Sequence, residues 1–189
     1  VAAVEKSPGL LASLREVLND TDRSALRLLL AIFFWFLGYT AIEAFFSLYA
    51  VNHLGLAAAD GVRLLGQLSL IFVLFALPSG YIGARIGRRV TIVIGIVILG
   101  SMMLGMFLLP VATLTTSLFY VPVLQEVPVA GLMLMAAGAG WALININSLP
   151  MVVDMTDTAR IGTYTGLYYL FSTLSAIAGP NVNGWLIQL

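Results

Sequence analysis

Four times along this chain, charge disappears for as long as a bilayer is thick. No Asp, Glu, Lys or Arg occurs between Arg63 and Arg85, between Arg89 and Glu126, between Glu126 and Asp154, or after Arg160. At 1.5 Å of rise per helical residue, ~20 apolar residues cross a hydrocarbon core of ~30 Å. Hydrophobic residues make up 60% of the chain and charged ones 10%, with a mean hydropathy of +1.01. A water-soluble domain carries roughly 25% charged residues, so lipid, not water, is the solvent this sequence is written for. The apolar runs are uninterrupted. Strands of a membrane barrel alternate apolar and polar residues over ~10 positions, and that reading fails here.

The pattern predicts an all-α, polytopic transmembrane bundle of five spans, near residues 28–51, 64–84, 90–109, 129–150 and 161–187. A charged lead-in over 1–27 precedes them, and its residues 9–18 suit a short amphipathic helix. Alternate connections then share one side of the membrane. Lys6, Arg15, Arg23, Arg27, Arg85, Arg88, Arg89 and Arg160 fall on one side and Arg63 alone on the other. By the positive-inside rule the first side, with the amino end, is cytoplasmic. Residues 110–128, with Pro110, Pro122, Pro128 and the pair Phe119–Tyr120, read as an external loop carrying an interfacial aromatic anchor.

Other classes are disfavoured by what the sequence holds. The nine basic and nine acidic residues balance, so membrane lipid, and no nucleic acid, is the expected partner. With no cysteine there is neither a disulfide nor a thiolate metal site, and no metal or other cofactor is expected. The charged first 27 residues are no cleavable signal peptide. An enzyme is not expected, because HExxH, a nucleophile–histidine pair and paired intramembrane carboxylates are all missing. A channel would need a ring-forming filter or a charge series, and neither is present.

The most specific local string is Gly80-Tyr-Ile-Gly-Ala-Arg85-Ile-Gly87-Arg88-Arg89. It joins the second and third spans through a very short connection, with glycines permitting close approach and arginines left in the headgroup zone. It resembles the cytoplasmic loop signature of major facilitator transporters, with Gly80, Arg85, Gly87, Arg88 and Arg89 in register. Ala84 stands where that signature has an aspartate, so the family's carboxylate latch is in doubt. Residues 141–184, with Asp154 and Asp157, are similar to the tenth and eleventh spans of the sucrose/proton symporter-like branch and its glycoside–pentoside–hexuronide:cation neighbours. Such folds are built from six-span halves of inverted three-span repeats. The resemblance implies the second half of such a protein lacking its last span, with the first half, a small solute and a coupling cation as further partners. It implies a symporter of the plasma membrane moving a sugar or similar solute, and a non-transporting sensor or assembly protein on the same fold is the alternative.

The polar residues inside the spans are read independently. Asn145 follows Trp141 by four positions and precedes Ser148 by three, so the three share a helical face. Tyr164 and Tyr168, with Phe171 and Ser175, form a second stripe. Such groups line a cavity or bond between helices, and both roles stay open. Gln67 is a further cavity candidate. Gly162-Thr-Tyr-Thr-Gly166 predicts a close helix contact, and Gly179-Pro180 a bend or break. Glu43 is the most informative: a carboxylate in the middle of the first span, on one stripe with Tyr39 and Ser47. At that depth a charge costs ~2.5–3.5 kcal/mol, so it requires a partner, water or a proton. This marks Glu43, with Tyr39 beside it, as a candidate for proton or substrate binding.

Overall fold

The computed structural model describes residues 10–19 and 22–188. Among the described residues, seven helices and one hairpin follow each other: α1 Leu10–Asn19, α2 Ser24–Asn52, α3 Ala58–Ile86, α4 Arg88–Leu108, the single turn α5 Val111–Leu114, β1 Ser117–Val121, β2 Gln125–Pro128, α6 Val129–Val153 and α7 Ile161–Ile187. Four of these, α2, α3, α4 and α6, are long and apolar enough to cross a membrane. The 27-residue α7 has the length, but its threonines, tyrosines and asparagines dilute its hydropathy below that of the other four.

Local chemistry explains where the helices start and why they continue through prolines. At the start of α2, the Asp22 carboxylate accepts from the Ser24 amide at 2.9 Å and the Ser24 hydroxyl at 2.6 Å. That satisfies one of the amides which a helix start leaves without an intrahelical acceptor. Pro78 and Pro150 lie inside α3 and α6, and α7 runs through Pro180, so of the bend or break expected at Gly179-Pro180 the break is absent. The helix around Pro180 is supported by its own side chains: Asn181 donates to the Ile177 carbonyl and Asn183 to that of Gly179, each at 2.7 Å.

Residues 117–128 also depart from the loop reading. They form an antiparallel hairpin that pairs Phe119 with Val127 and Tyr120 with Glu126. The physical reason is local. Leu118, Phe119, Tyr120 and Val121 are strand formers, Pro122 begins the reversal, and Gln125 takes the left-handed φ of +60° that lets the chain return.

The chain divides into two compact units, residues 1–41 with 149–189 and residues 42–148. In the first, Val17 of α1, Leu28, Leu29 and Ile32 of α2, Val152 of α6 and Leu167 and Tyr168 of α7 form one buried cluster. From α1, Val17 is buried in this cluster and Leu14 packs against it. The Arg23 guanidinium donates to the Leu18 carbonyl at 2.8 Å and closes its last turn. Further along, the Ser175 hydroxyl of α7 donates to the Phe33 carbonyl of α2 at 2.7 Å. The Gly162–Gly166 pair does not make the expected contact at its first glycine: a side chain at Gly162 would meet nothing within 4 Å. Small residues permit an approach without selecting it.

In the second unit α6 is the enclosed element. Its apolar stretch is 56% buried, against 22% for α3 and for α4. A Cβ on Gly95 of α4 would lie 2.5 Å from the Gly140 carbonyl oxygen of α6, and one on Gly140 would lie 2.9 Å from that of Gly95. Only paired glycines allow two backbones to come so near. The Tyr49 hydroxyl donates to the Met106 carbonyl at 3.0 Å, fixing the end of α2 within this unit.

Candidate functional site

The α3–α4 connection is narrower than the sequence suggests. Gly87 alone separates the two helices, serving as the C-terminal cap of one and the N-terminal cap of the other, with φ +94° and ψ 137°. Its amide donates to the Gly83 carbonyl and its carbonyl accepts from the Thr91 amide, both at 3.1 Å. A side chain is strongly disfavoured in that conformation. Arg85 thus belongs to the last turn of α3 and Arg88 and Arg89 to the first turn of α4. Arg85 and Arg89 are exposed and Arg88 is half-buried, and the Arg85 guanidinium lies 4.5 Å from the centre of the Tyr81 ring. A Cβ on Gly80, the motif's first residue, would lie 3.6 Å from the Ile146 side chain of α6.

Directly above this bend is a buried polar contact that the sequence reading missed. Asn147 of α6 is fully buried, and its amide nitrogen donates to the Ser79 carbonyl of α3 at 3.1 Å and to the Leu143 carbonyl of its own helix at 3.0 Å. Its Oδ1 has no hydrogen-bond partner among the described residues and occupies the space where Gly83 would carry a Cβ. Gly83, inside the motif, is therefore the recess for Asn147. The available signal was a second asparagine two positions beyond Asn145, on the opposite face of the same helix.

The predicted stripe on α6 is mainly a packing face. Trp141 is 3% exposed and Ser148 is fully buried, the Ser148 hydroxyl donating to the Ile144 and Asn145 carbonyls at 2.9 Å. Asn145 is half-buried. Gln67 is 2% exposed; its amide nitrogen donates to the Leu124 and Glu126 carbonyls at 2.9 and 3.2 Å, and its Oε1 has no hydrogen-bond partner among the described residues. Glu43, also in the second unit, is exposed on α2 and makes no hydrogen bond or ion pair among the described residues.

The first unit gathers aromatic and hydroxyl groups. Tyr39 of α2 and Tyr168 of α7 are 7% and 6% exposed, Tyr164 is half-buried one turn before Tyr168, and the Phe36 ring meets Tyr168 edge-on at 6.3 Å. Trp35 contributes a buried indole N–H that has no acceptor among the described residues.

The family pattern of the Major Facilitator Superfamily matches residues 2–180. The chain belongs to that superfamily. No individual curated protein matches it, so the assignment rests on the family pattern. Membership of this family of transporters, together with four apolar helices of spanning length, makes the chain an integral multi-pass membrane protein. The exposed apolar surface of α2, α3 and α4 is then expected, because lipid tails cover such faces at no cost. The same frame explains why Asn147, Ser148 and Ser175 direct their donors to backbone carbonyls: inside a bilayer no water is available to take them.

Proposed function

We propose that this facilitator chain is part of a secondary active transporter that couples a cation, with the proton favoured, to the movement of a small polyhydroxylated solute. The five helices α2, α3, α4, α6 and α7 act as five spans of one six-span half, as the position of the Gly80–Arg89 string between the second and third of them suggests. The arginine-bearing bend is on the cytoplasmic side, in the plasma membrane. Alternating access then comes from rocking of repeats around a site near the midplane.

The observation that carries the coupling reading is Glu43. It is an exposed carboxylate in the body of an apolar helix, without a partner among the described residues. A structural carboxylate would be spent on a neighbouring donor, whereas a coupling carboxylate must be reachable by a proton. Tyr39, Tyr164, Tyr168 and Trp35 supply rings and donors suited to sugar faces and hydroxyls, which supports a solute of the sugar or glycoside class. The likeness of residues 141–184, with Asp154 and Asp157, to sucrose/proton symporters points the same way.

The test is Glu43→Gln in the intact protein reconstituted in vesicles. Gln keeps the shape and stands in for the protonated acid. Accumulation of solute against its gradient should be lost, while counterflow exchange, which needs no net proton movement, should persist. Wild-type accumulation in Glu43→Gln would assign coupling to another group and remove the main support for this reading.

A further inference from the structure

The 117–128 hairpin shows its apolar side chains outward on both faces. Leu118, Phe119 and Tyr120 are 47, 45 and 66% exposed, and Val123 at the tip is 80% exposed. In water such a surface would invite self-association. Its other strand is held firmly. Val127 is fully buried, the Val129 amide donates to the Thr116 carbonyl at 3.1 Å, and Gln67 of α3 binds the carbonyls of Leu124 and Glu126. One turn earlier on α3, Arg63 donates to the Gln125 side chain at 3.0 Å while paired with Asp60 at 3.1 Å. The hairpin is thus fixed to α3 along one strand and open along the other.

We infer that this hairpin is a phospholipid-seated anchor: Leu118, Phe119, Tyr120 and Val123 enter the boundary between headgroups and acyl chains, and Gln67 and Arg63 fasten it to the end of α3. Three features select lipid as the occupant. The hairpin follows, along the chain, the exposed apolar residues Leu104, Phe107 and Leu108 at the end of α4 and Leu109 just beyond it. The hydroxyls between these elements are already satisfied, Thr115 donating to the Val111 carbonyl and Thr116 to that of Ala112, so entering the interface leaves them with partners. Tyrosine and phenylalanine are residues that membrane boundaries favour. Glu126 is the single charge within 117–128, so the seat depends on apolar burial and suits zwitterionic headgroups rather than an anionic lipid. A membrane-held hairpin fastened this way ties one end of α3 to the bilayer surface while the helix moves.

The chain contains no cysteine, so nitroxide labels can be placed singly at Phe119→Cys and Val123→Cys, with Ala58→Cys as a control at the exposed start of α3. In the intact protein in phosphatidylcholine bilayers, oxygen should relax the hairpin labels more strongly than a water-soluble nickel chelate does. The control should show the reverse preference. Neither molar salt nor anionic lipid should change the ratio. A nickel preference at the hairpin would place it in water, and low access to both reagents would mean that protein covers it; either result overturns the inference. In a Gln67→Leu background the hairpin labels should keep their preference for oxygen but give narrower spectra. Unchanged spectra there would remove the fastening to α3.

Discussion

Replacing Gly83 by alanine tests the recess beneath Asn147. The new methyl would coincide with the Asn147 Oδ1 and lie 2.6 Å from its Cγ and 3.1 Å from its Nδ2. The amide must then leave its place and surrender its bond to the Ser79 carbonyl. Overpacking in a closed core costs ~1–3 kcal/mol, and an interhelical hydrogen bond in a membrane protein contributes ~0.6–2 kcal/mol. Alanine in a helix gains up to ~1 kcal/mol over glycine, which offsets only part of this. Gly83→Ala should therefore lose ~0.6–4 kcal/mol, by the same sums. With Asn147→Ala already present the methyl meets vacant space, and the substitution should become neutral or stabilise by up to ~1 kcal/mol. Unfolding of the intact protein by detergent titration, for both single variants and the double, gives the cycle. If Gly83→Ala costs the same in both backgrounds, within ~0.5 kcal/mol, the two residues are independent and the reasoning fails.

Three further outcomes are expected. Gly87→Ala should destabilise by ~1–3 kcal/mol in the same titration, because the backbone at φ +94° and ψ 137° accepts a side chain only under strain; an unchanged midpoint would refute this. Cysteines at Ala84 and Ala58 should label from opposite sides of the membrane with an impermeant reagent, Ala84 from the cytoplasm, and labelling from one side would refute the proposed orientation. The Ser24 hydroxyl first, then the Ser24 amide, hold the Asp22 carboxyl below its ordinary value of 3.8, with Arg27 adding a smaller pull. The folded value being depressed, its support of α2 is complete at neutral pH and is lost only as pH falls through that lowered value. Protection of the amides at the start of α2, taken relative to the intrinsic exchange rate at each pH, should therefore hold until the pH approaches 3.8 and fall below it, and Asp22→Asn should abolish the acid step.

The helical bundle was legible because the bilayer restricts the choices: a charge-free run must become a helix, and Arg85, Arg88 and Arg89 mark where one run ends and the next begins. The hairpin was not, since Leu118 to Val121 lie inside the longest charge-free stretch and apolar strand formers resemble the end of a span. Spacing from Trp141 and Ser148 points to Asn145, but spacing locates a face and says nothing of what that face, or the opposite one bearing Asn147, meets. The same limit explains Gly162, whose neighbour at Gly166 made a motif without a contact at Gly162, and Gln67, whose carbonyl partners lie 57 and 59 residues away. The motif residues Gly80 and Gly87 were found because their surroundings are local.

The single-residue link at Gly87 has a consequence for how the protein is made. With only Gly87 between α3 and α4 there is no loop to let them drift apart. The expected outcome is that they enter the bilayer as a pair, the closed end last. That end carries Arg85, Arg88 and Arg89, and drawing three guanidinium groups through hydrocarbon is opposed by several kcal/mol for each, on the order of 2.5–3.5 on insertion scales. On the orientation proposed above, the bend is expected to act as a stop during synthesis, holding its arginines on the face from which the pair entered.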